Sequence, residues 1–396
     1  GLSYLGTSPK DRTYQDTDSL GAAVDDTFSG KSRLWILDGV WKWAPNGNPS
    51  VTNFTLQGEY FRRTESGTLA SNSAAGACGG DCSGSYESKQ SGWYLQGVYQ
   101  FMPRWRAGLR HDRVQGRAAM MNNGAVTSGL DRSDGATSAS LGVMHEVTPL
   151  LRPYANVSRA FRAADLRERY QSGLRNDGFY WAGSPQIRPE TATQFELGMK
   201  GEDERFGYAV SAFRTRIANH ITGMQLSGAA AIAACGGANA TACKQTVNLG
   251  HATLTGLEAS LRWRLQPGHW LQAGYSRVRG TNGDLHEPLY QMPADTLSLG
   301  WEGRVATDWS VDATALLVRP QKRVATRFTR GQEDASAGYG VVDVGATWRY
   351  ARSQSLRLAI KNLGDRRYHE HLAEGLPGLE PIAPGRSLRI GWEGQF

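Results

Sequence analysis

Apolar and polar residues alternate along this chain with a period of two, in one segment after another. In residues 257–265 one face reads Leu257, Ala259, Leu261, Trp263, Leu265 and the other Glu258, Ser260, Arg262, Arg264. Near the end, Leu388, Ile390, Trp392 and Phe396 oppose Arg389, Gly391, Glu393 and Gln395. Trp93, Leu95, Tyr99 and Phe101 oppose Tyr94, Gln96 and Gln100; Leu297, Leu299 and Trp301 oppose Ser298, Gly300 and Glu302; Leu356, Leu358 and Ile360 oppose Arg357 and Lys361. Successive side chains of a strand point to opposite faces, so the pattern predicts amphipathic strands from end to end. About sixteen such segments can be counted, an even number within the range of bacterial membrane barrels.

A soluble sandwich alternates too, with its apolar face inward. Two features favour a membrane barrel. The polar faces carry full charges strand after strand, as a wet lumen would. Aromatics cluster at strand ends: Trp41, Trp43, Tyr60, Trp93, Phe101, Trp105, Trp263, Trp270, Trp301, Trp309, Trp348, Tyr350 and Trp392, and Trp and Tyr favour the membrane–water interface. Connections alternate in length as well. Short turns (148–150, 266–269, 303–308, 351–354) separate strand pairs, and longer segments (116–134, 163–189, 223–247, 280–292, 320–338) separate the pairs from each other. Short turns on one rim and long loops on the other are the bacterial arrangement, with the long loops outside. The fold class is therefore all-β, a transmembrane antiparallel barrel of about sixteen strands, and the expected domain is a single one over 1–396.

Composition fits this reading. The mean hydropathy of −0.47 suggests a soluble chain only because averaging over two unlike faces cancels. The 396 residues include 48 Gly, 12 Trp and 15 Tyr, which suits a sheet protein with an aromatic girdle. No run approaches the ~18 apolar residues of a membrane helix. The sequence starts inside a strand-like pattern without a signal peptide, as a mature, trimmed or partial chain would. The terminal Phe396 suits an outer-membrane barrel. The net charge of +7 is spread over alternate strand positions and not gathered in a stripe, which argues against nucleic-acid binding.

Four cysteines fall in two close pairs, Cys78/Cys82 and Cys235/Cys243, both in Gly/Ala-rich loop sequence. With no accompanying CxxC or regular His spacing, two local disulfides are preferred to a zinc site, and they imply an oxidising compartment. No hydrolase, metalloprotease or nucleotide-binding motif is present, so no catalytic residue and no cofactor is assigned.

Three motifs carry a family resemblance from residue 134 onward. The first runs from Tyr154 through Arg159-Ala160-Phe161-Arg162-Ala163-Ala164-Asp165-Leu166 to Arg188-Pro189-Glu190-Thr191, followed by Phe195-Glu196-Leu197-Gly198. The second is Ala252-Thr253-Leu254-Thr255-Gly256-Leu257-Glu258. The third is Ile360-Lys361-Asn362-Leu363-Gly364-Asp365-Arg366-Arg367-Tyr368, closing with Pro384-Gly385-Arg386-Ser387-Leu388. In order and spacing they resemble the C-terminal barrel of TonB-dependent outer-membrane receptors. Residues 1–133 supply barrel strands, and the first 115 look closer to porin-like or metal-regulated outer-membrane proteins. Most motif residues have structural explanations: Pro189 can start a strand, and Asn362, Gly364 and Asp365 are turn formers.

The resemblance implies an outer-membrane location, surrounding lipid, a monomer, and energised uptake of a metal ion or metal chelate. The TonB complex would act through a plug domain, and nothing in these residues reads as a plug. A barrel closed at sixteen strands without a plug would instead be a passive, porin-like channel. His369 and His371, at i and i+2, would point the same way on a strand and could ligate one metal. They belong to an ending similar to those of copper-type receptors, as are Pro288–Pro293 and Val318–Val324. Met120, Met121, Met224 and Met292 lie in or near long loops and suit Cu(I); an ordinary solvated loop is the competing reading. Arg106, Arg110, Arg262, Arg264, Arg349, Arg357 and Arg389 fall on polar faces, there either to attract anions or to pair with Glu196, Glu258 or Glu393 on neighbouring strands.

Overall fold

The alternating segments form strands throughout a computed structural model that describes all residues except 18–22, 75–81, 104, 123–124, 171, 176–177, 330–332, 374–380 and 395–396. In chain order the strands are β1 (Leu2–Thr7), β2 (Arg12–Thr17), β3 (Ala23–Trp43), β4 (Asn53–Ser71), β5 (Ser83–Met102), β6 (Trp105–Asn122), β7 (Ala125–Met144), β8 (Arg152–Arg162), β9 (Gly173–Leu174) and β10 (Tyr180–Ala182). They continue with β11 (Glu190–Glu202), β12 (Phe206–Leu226), β13 (Cys243–Gln266), β14 (His269–Asn282), β15 (Glu287–Pro288), β16 (Thr296–Ala306), β17 (Trp309–Val318), β18 (Tyr339–Ala351), β19 (Gln354–Lys361) and β20 (Ser387–Gly394). Helices are confined to α1 (Leu166–Tyr170), α2 (Gly228–Cys235) and a 3₁₀ turn at Gly237–Ala242 among the described residues.

β1 and β2 pair with successive stretches of β3, Leu2–Thr7 against Leu37–Ser32 and Arg12–Thr17 against Phe28–Ala23. They are one strand interrupted at residues 8–11. β9, β10 and β15 are pieces of two or three residues within loops. Sixteen long strands remain among the described residues, as the alternation predicts.

The chain forms two compact units. The first holds residues 1–142, 157–193 and 217–251; the second holds 143–156, 194–216 and 252–396. In the first, β3 to β6 pair antiparallel with their neighbours over most of their lengths. These strands run to 18–21 residues, about twice what a tilted strand needs to cross a bilayer. The excess overturns one expected loop: β6 runs to Asn122 and β7 starts at Ala125, so 116–134 is almost entirely strand.

One face of these strands is apolar and open. Leu37, Trp41, Leu95 and Leu109 are each at least half exposed. The opposite face buries Glu65 against Arg63 and Arg12. So large an apolar surface is untenable in water and is what lipid covers.

The second unit repeats the plan. β13 from Ala252, β14, β16, β17, β18, β19 and β20 pair antiparallel in succession. The predicted short turns are present. Pro267-Gly268 joins β13 to β14 with Gly268 at φ +81°, the left-handed second corner that a Pro-Gly turn supplies. Close to the short turns, Trp309 stacks on Trp348 at 5.7 Å, Trp348 lies 5.5 Å from Tyr350, and the Trp392 indole N–H donates to the Tyr350 hydroxyl at 2.7 Å. This is an interfacial belt. Trp270 does not join it. It sits opposite Arg264 in the register, and the Arg262 guanidinium lies 4.1 Å from its ring centroid, so Trp270 belongs to the charged face. The arginines of that face also find other partners than expected. Arg357 grips Asp312 through two bonds of 2.7 and 3.0 Å. Arg110 pairs with Asp112 at 2.7 Å, and Arg264 reaches Glu204 at 3.9 Å. Glu196 instead accepts the Tyr154 hydroxyl at 2.8 Å.

Candidate functional site

Because strand faces are open to lipid or water, most of the tightly buried side chains lie toward the long-loop ends. In the second unit two buried glutamates organise the loop layer. Glu287, on β15, accepts the backbone N–H groups of Thr326, Arg327 and Phe328 at 2.7–2.9 Å, and the Thr326 hydroxyl at 3.3 Å. Burial pushes its pKa up, but these donors together outweigh burial and hold the carboxyl below the ordinary glutamate value. Glu333 accepts the N–H groups of Gln291, at 2.8 Å, and of Ala325. Gln321 donates to the carbonyls of Met292 and Pro293 at 2.9 and 3.0 Å. The segments singled out in the sequence, 288–293 and 318–324, are thus stapled together, and their polar groups serve each other. The Met292 sulfur occupies the space a Cβ on Gly280 would need, so it is engaged in packing.

His369 and His371 lie outside any strand, which removes the geometric premise of a shared direction. The His371 side chain is 5% exposed, with its Nε2 3.4 Å from Glu333 Oε1. Among the described residues no group of three or more His, Cys, Asp or Glu side chains converges as a metal site. The side chains of Met120 and Met121 lie outside the described residues, as do Cys78 and Phe396.

In the first unit, Cys235 and Cys243 are joined as expected, with Cα atoms 6.0 Å apart. Of the other expected pair, Cys82 is disulfide-bonded and is no free thiol. It sits just before β5, with its Sγ 3.3 Å from the Ser73 carbonyl oxygen. Cys78, the partner expected for Cys82, falls outside the described residues, so the Cys78–Cys82 pairing rests on the sequence alone.

The Cys235–Cys243 bridge ties the end of α2 to the start of β13. There β10 pairs in parallel, Tyr180 beside Cys243 and Trp181 beside Lys244. The result is an aromatic and cationic cluster. Lys244 Nζ lies 3.9 Å from the Phe179 ring centroid and 5.6 Å from that of Trp181, while the Arg175 guanidinium lies 4.3 Å from Trp181. Gly223 makes room, since a Cβ there would meet the Trp181 ring. Trp181, Arg175 and Lys244 remain partly accessible. Two cations held beside aromatic rings present positive charge next to apolar edges, which suits an anionic ligand with aromatic parts. Sequence reading misses this cluster because its members are spread from residue 175 to 244. The one local signal is the Phe179-Tyr180-Trp181 run inside a Gly-rich loop.

The motif residues are structural, as read. Asp165 and Glu168 form a reciprocal capping pair at α1. Arg162 bridges Glu168 and Glu190 at 2.9 Å each, which joins the two halves of the first motif. Asn362 and Asp365 take positive φ of 50° and 49°. Asn362 binds the backbone of Arg366 and Pro384, and Asp365 accepts the Arg386 N–H, which pins the two parts of the third motif together.

Residues 1–363 match the sequence profile described as TonB dependent receptor-like, beta-barrel. The ferric enterobactin receptor of Pseudomonas aeruginosa is 26% identical over 279 residues, covering 63% of this chain and 37% of that protein. The metal-pseudopaline receptor CntO of the same species is 25% identical over 290 residues, covering 70% of this chain and 37% of that one. Among solved structures, the copper transporter OprC superposes with a TM-score of 0.73 at 19% identity, over 96% of this chain and 60% of that chain. The chain therefore spans little more than a third of the curated relatives it matches, and the likeness to OprC is one of fold. The profile match includes the first 133 residues, whose strands join the same family.

Proposed function

The chain belongs to the TonB-dependent receptor-like β-barrel family, and from that premise we propose that it is the single transmembrane barrel domain of a receptor that takes up a metal chelate across the outer membrane. An outer-membrane location follows from the family and its relatives. The relatives are receptors and transporters by name. In this reading the chelate is cargo and no resident cofactor takes part. The barrel works as a monomer in lipid, and energy arrives from the TonB complex through a plug domain outside these residues. The observation that carries the ligand class is the cluster of Arg175, Lys244, Phe179 and Trp181. It favours an aromatic, anionic chelate such as a ferric catecholate over a bare cation, which the two ring-bound cations would repel.

The test is titration of Trp fluorescence in detergent with a ferric catecholate, haemin and Cu(II). The anionic chelates should quench saturably. Arg175→Ala with Lys244→Ala should weaken binding about tenfold or more, since two ring-facing cations are lost. Large ohmic conductance in planar bilayers, with no saturable binding of any of the three, would favour a passive channel and overturn the proposal.

A further inference from the structure

The outward face of the first unit carries a second pattern, revealed by its register. Near the short connections it bears Trp43, Phe54 and Tyr99, aligned across β3, β4 and β5. Eight residues further along β3 comes Trp35, within 4.4 Å of Tyr4 between ring centroids, and in the neighbouring row Leu37, Tyr60 and Trp93 align. On a tilted strand the two aromatic levels stand about 20 Å apart, close to the height of the apolar band of such barrels. The second level is thus the upper edge of the lipid-facing band, on the long-loop side.

At that edge the outward face turns basic. Arg62 lies between Trp35 and Ser91 in the register, Arg113 lies beside Trp93, and Arg33 and Lys31 follow on β3. All four are exposed, and among the described residues none makes an ion pair with a carboxylate. The nearest outward acid, Glu87, is matched by Lys89 at 2.5 Å. A cavity of about 300 Å³ opens at the same level, between Tyr60, Ser91, Gly92, Trp93, Arg113 and Gln115. Snorkelling alone would place arginines at a membrane edge. It would not require three arginines and a lysine without carboxylate partners along one edge, beside a cavity that Arg113 lines.

We propose that this edge is a binding site for a phosphorylated lipid headgroup of the outer leaflet. Arg33, Arg62 and Arg113 would grip the phosphates, because planar guanidinium groups match phosphate oxygens two at a time. Trp35, Tyr60 and Trp93 would cover the first carbons of the acyl chains. The site goes beyond chelate uptake and uses none of the residues assigned to it.

The experiment is native mass spectrometry of the chain in mixed micelles with lipid A or its dephosphorylated form. The expected result is retention of lipid A, with the dephosphorylated form retained about a hundredfold less. Arg33→Gln, Arg62→Gln and Arg113→Gln together should lower lipid A retention to the level of the dephosphorylated lipid, and raised ionic strength should weaken the wild-type interaction. Equal retention of the two lipids by the wild-type chain would overturn the proposal without recourse to a variant. So would a folded triple variant, shown by its resistance to unfolding in cold detergent on a gel, that holds lipid A as the wild type does.

Discussion

Arg169 is 2% exposed and directs its guanidinium at the Asp134 carboxylate at 2.6 Å and the carbonyls of Ile187, Pro185 and Ala164 at 2.7–3.4 Å. It sits in the first motif, yet its work is internal: it ties the loop after α1 to β7. Arg169→Ala should cost ~3–5 kcal/mol, because it removes a buried guanidinium that pairs with a poorly solvated carboxylate and donates to three carbonyls, read as a lower thermal midpoint in detergent. Arg169→Lys should recover only part of that, since an ammonium cannot span the same acceptors. Glu287 gives a residue-scale pH prediction. Its carboxyl is held below the ordinary glutamate value, by backbone donors that outweigh burial. The folded loop therefore gains stability that is fully present above the unfolded value of about 4.3 and is lost as pH falls through the lower folded value. Protection factors of residues 325–329, taken against the intrinsic exchange rate at each pH, should fall on acidification below that range. Glu287→Gln should exchange faster at neutral pH and lose the acid-induced step.

At the scale of elements, the hairpin of β13 and β14 shows what the sequence makes legible. Pro267-Gly268 names both the turn and its backbone, and Gly268→Val should destabilise the hairpin by about 1–2 kcal/mol because a branched side chain resists positive φ. Strand number, faces and short turns could be read this way because each depends on neighbours in sequence. The Cys235–Cys243 bridge was legible for the same reason. Its removal by paired Cys→Ser substitution should release about 2–3 kcal/mol of loop restraint, measured as earlier protease cleavage within 223–247. Two readings failed where long-range context decides. Residues 116–134 read as a loop because they fall between strand pairs, although β6 and β7 extend through most of them. Trp270 looked like a girdle residue by type, yet its pairing with Arg264 puts it on the charged face. His369 and His371 are paired by spacing alone, since the chain is not extended there as a strand. The cation–aromatic cluster was invisible for a related reason: a parallel pairing of β10 with β13 creates it, and no local pattern announces such a contact.

At the scale of the whole molecule, the claim that one face of every strand meets lipid can be tested tryptophan by tryptophan. Trp309 and Trp348 stack on the apolar face and are each 41% exposed, so in a bilayer they contact acyl chains near the interface. Trp270 lies on the other face under Arg262. Trp181 is held in the loop layer by Lys244 and Arg175. In water the first pair would aggregate neighbouring molecules; in lipid it anchors the rim. Chains retaining one tryptophan each, the others replaced by phenylalanine, should therefore divide into two groups in liposomes. Lipids brominated near the headgroup should quench Trp309 and Trp348 strongly and leave Trp270 and Trp181 bright. Iodide in the aqueous phase should do the reverse, because a charged quencher enters water-filled space and is kept from the hydrocarbon by its desolvation cost. Equal quenching of Trp270 and Trp309 by brominated lipid would mean that the polar face also meets lipid. The arginine–aspartate pairs of that face, Arg357–Asp312 among them, would then be charges facing hydrocarbon, which costs ~2–4 kcal/mol for each Arg at the bilayer centre. That cost, repeated from strand to strand, is the physical reason why the polar face is assigned to water.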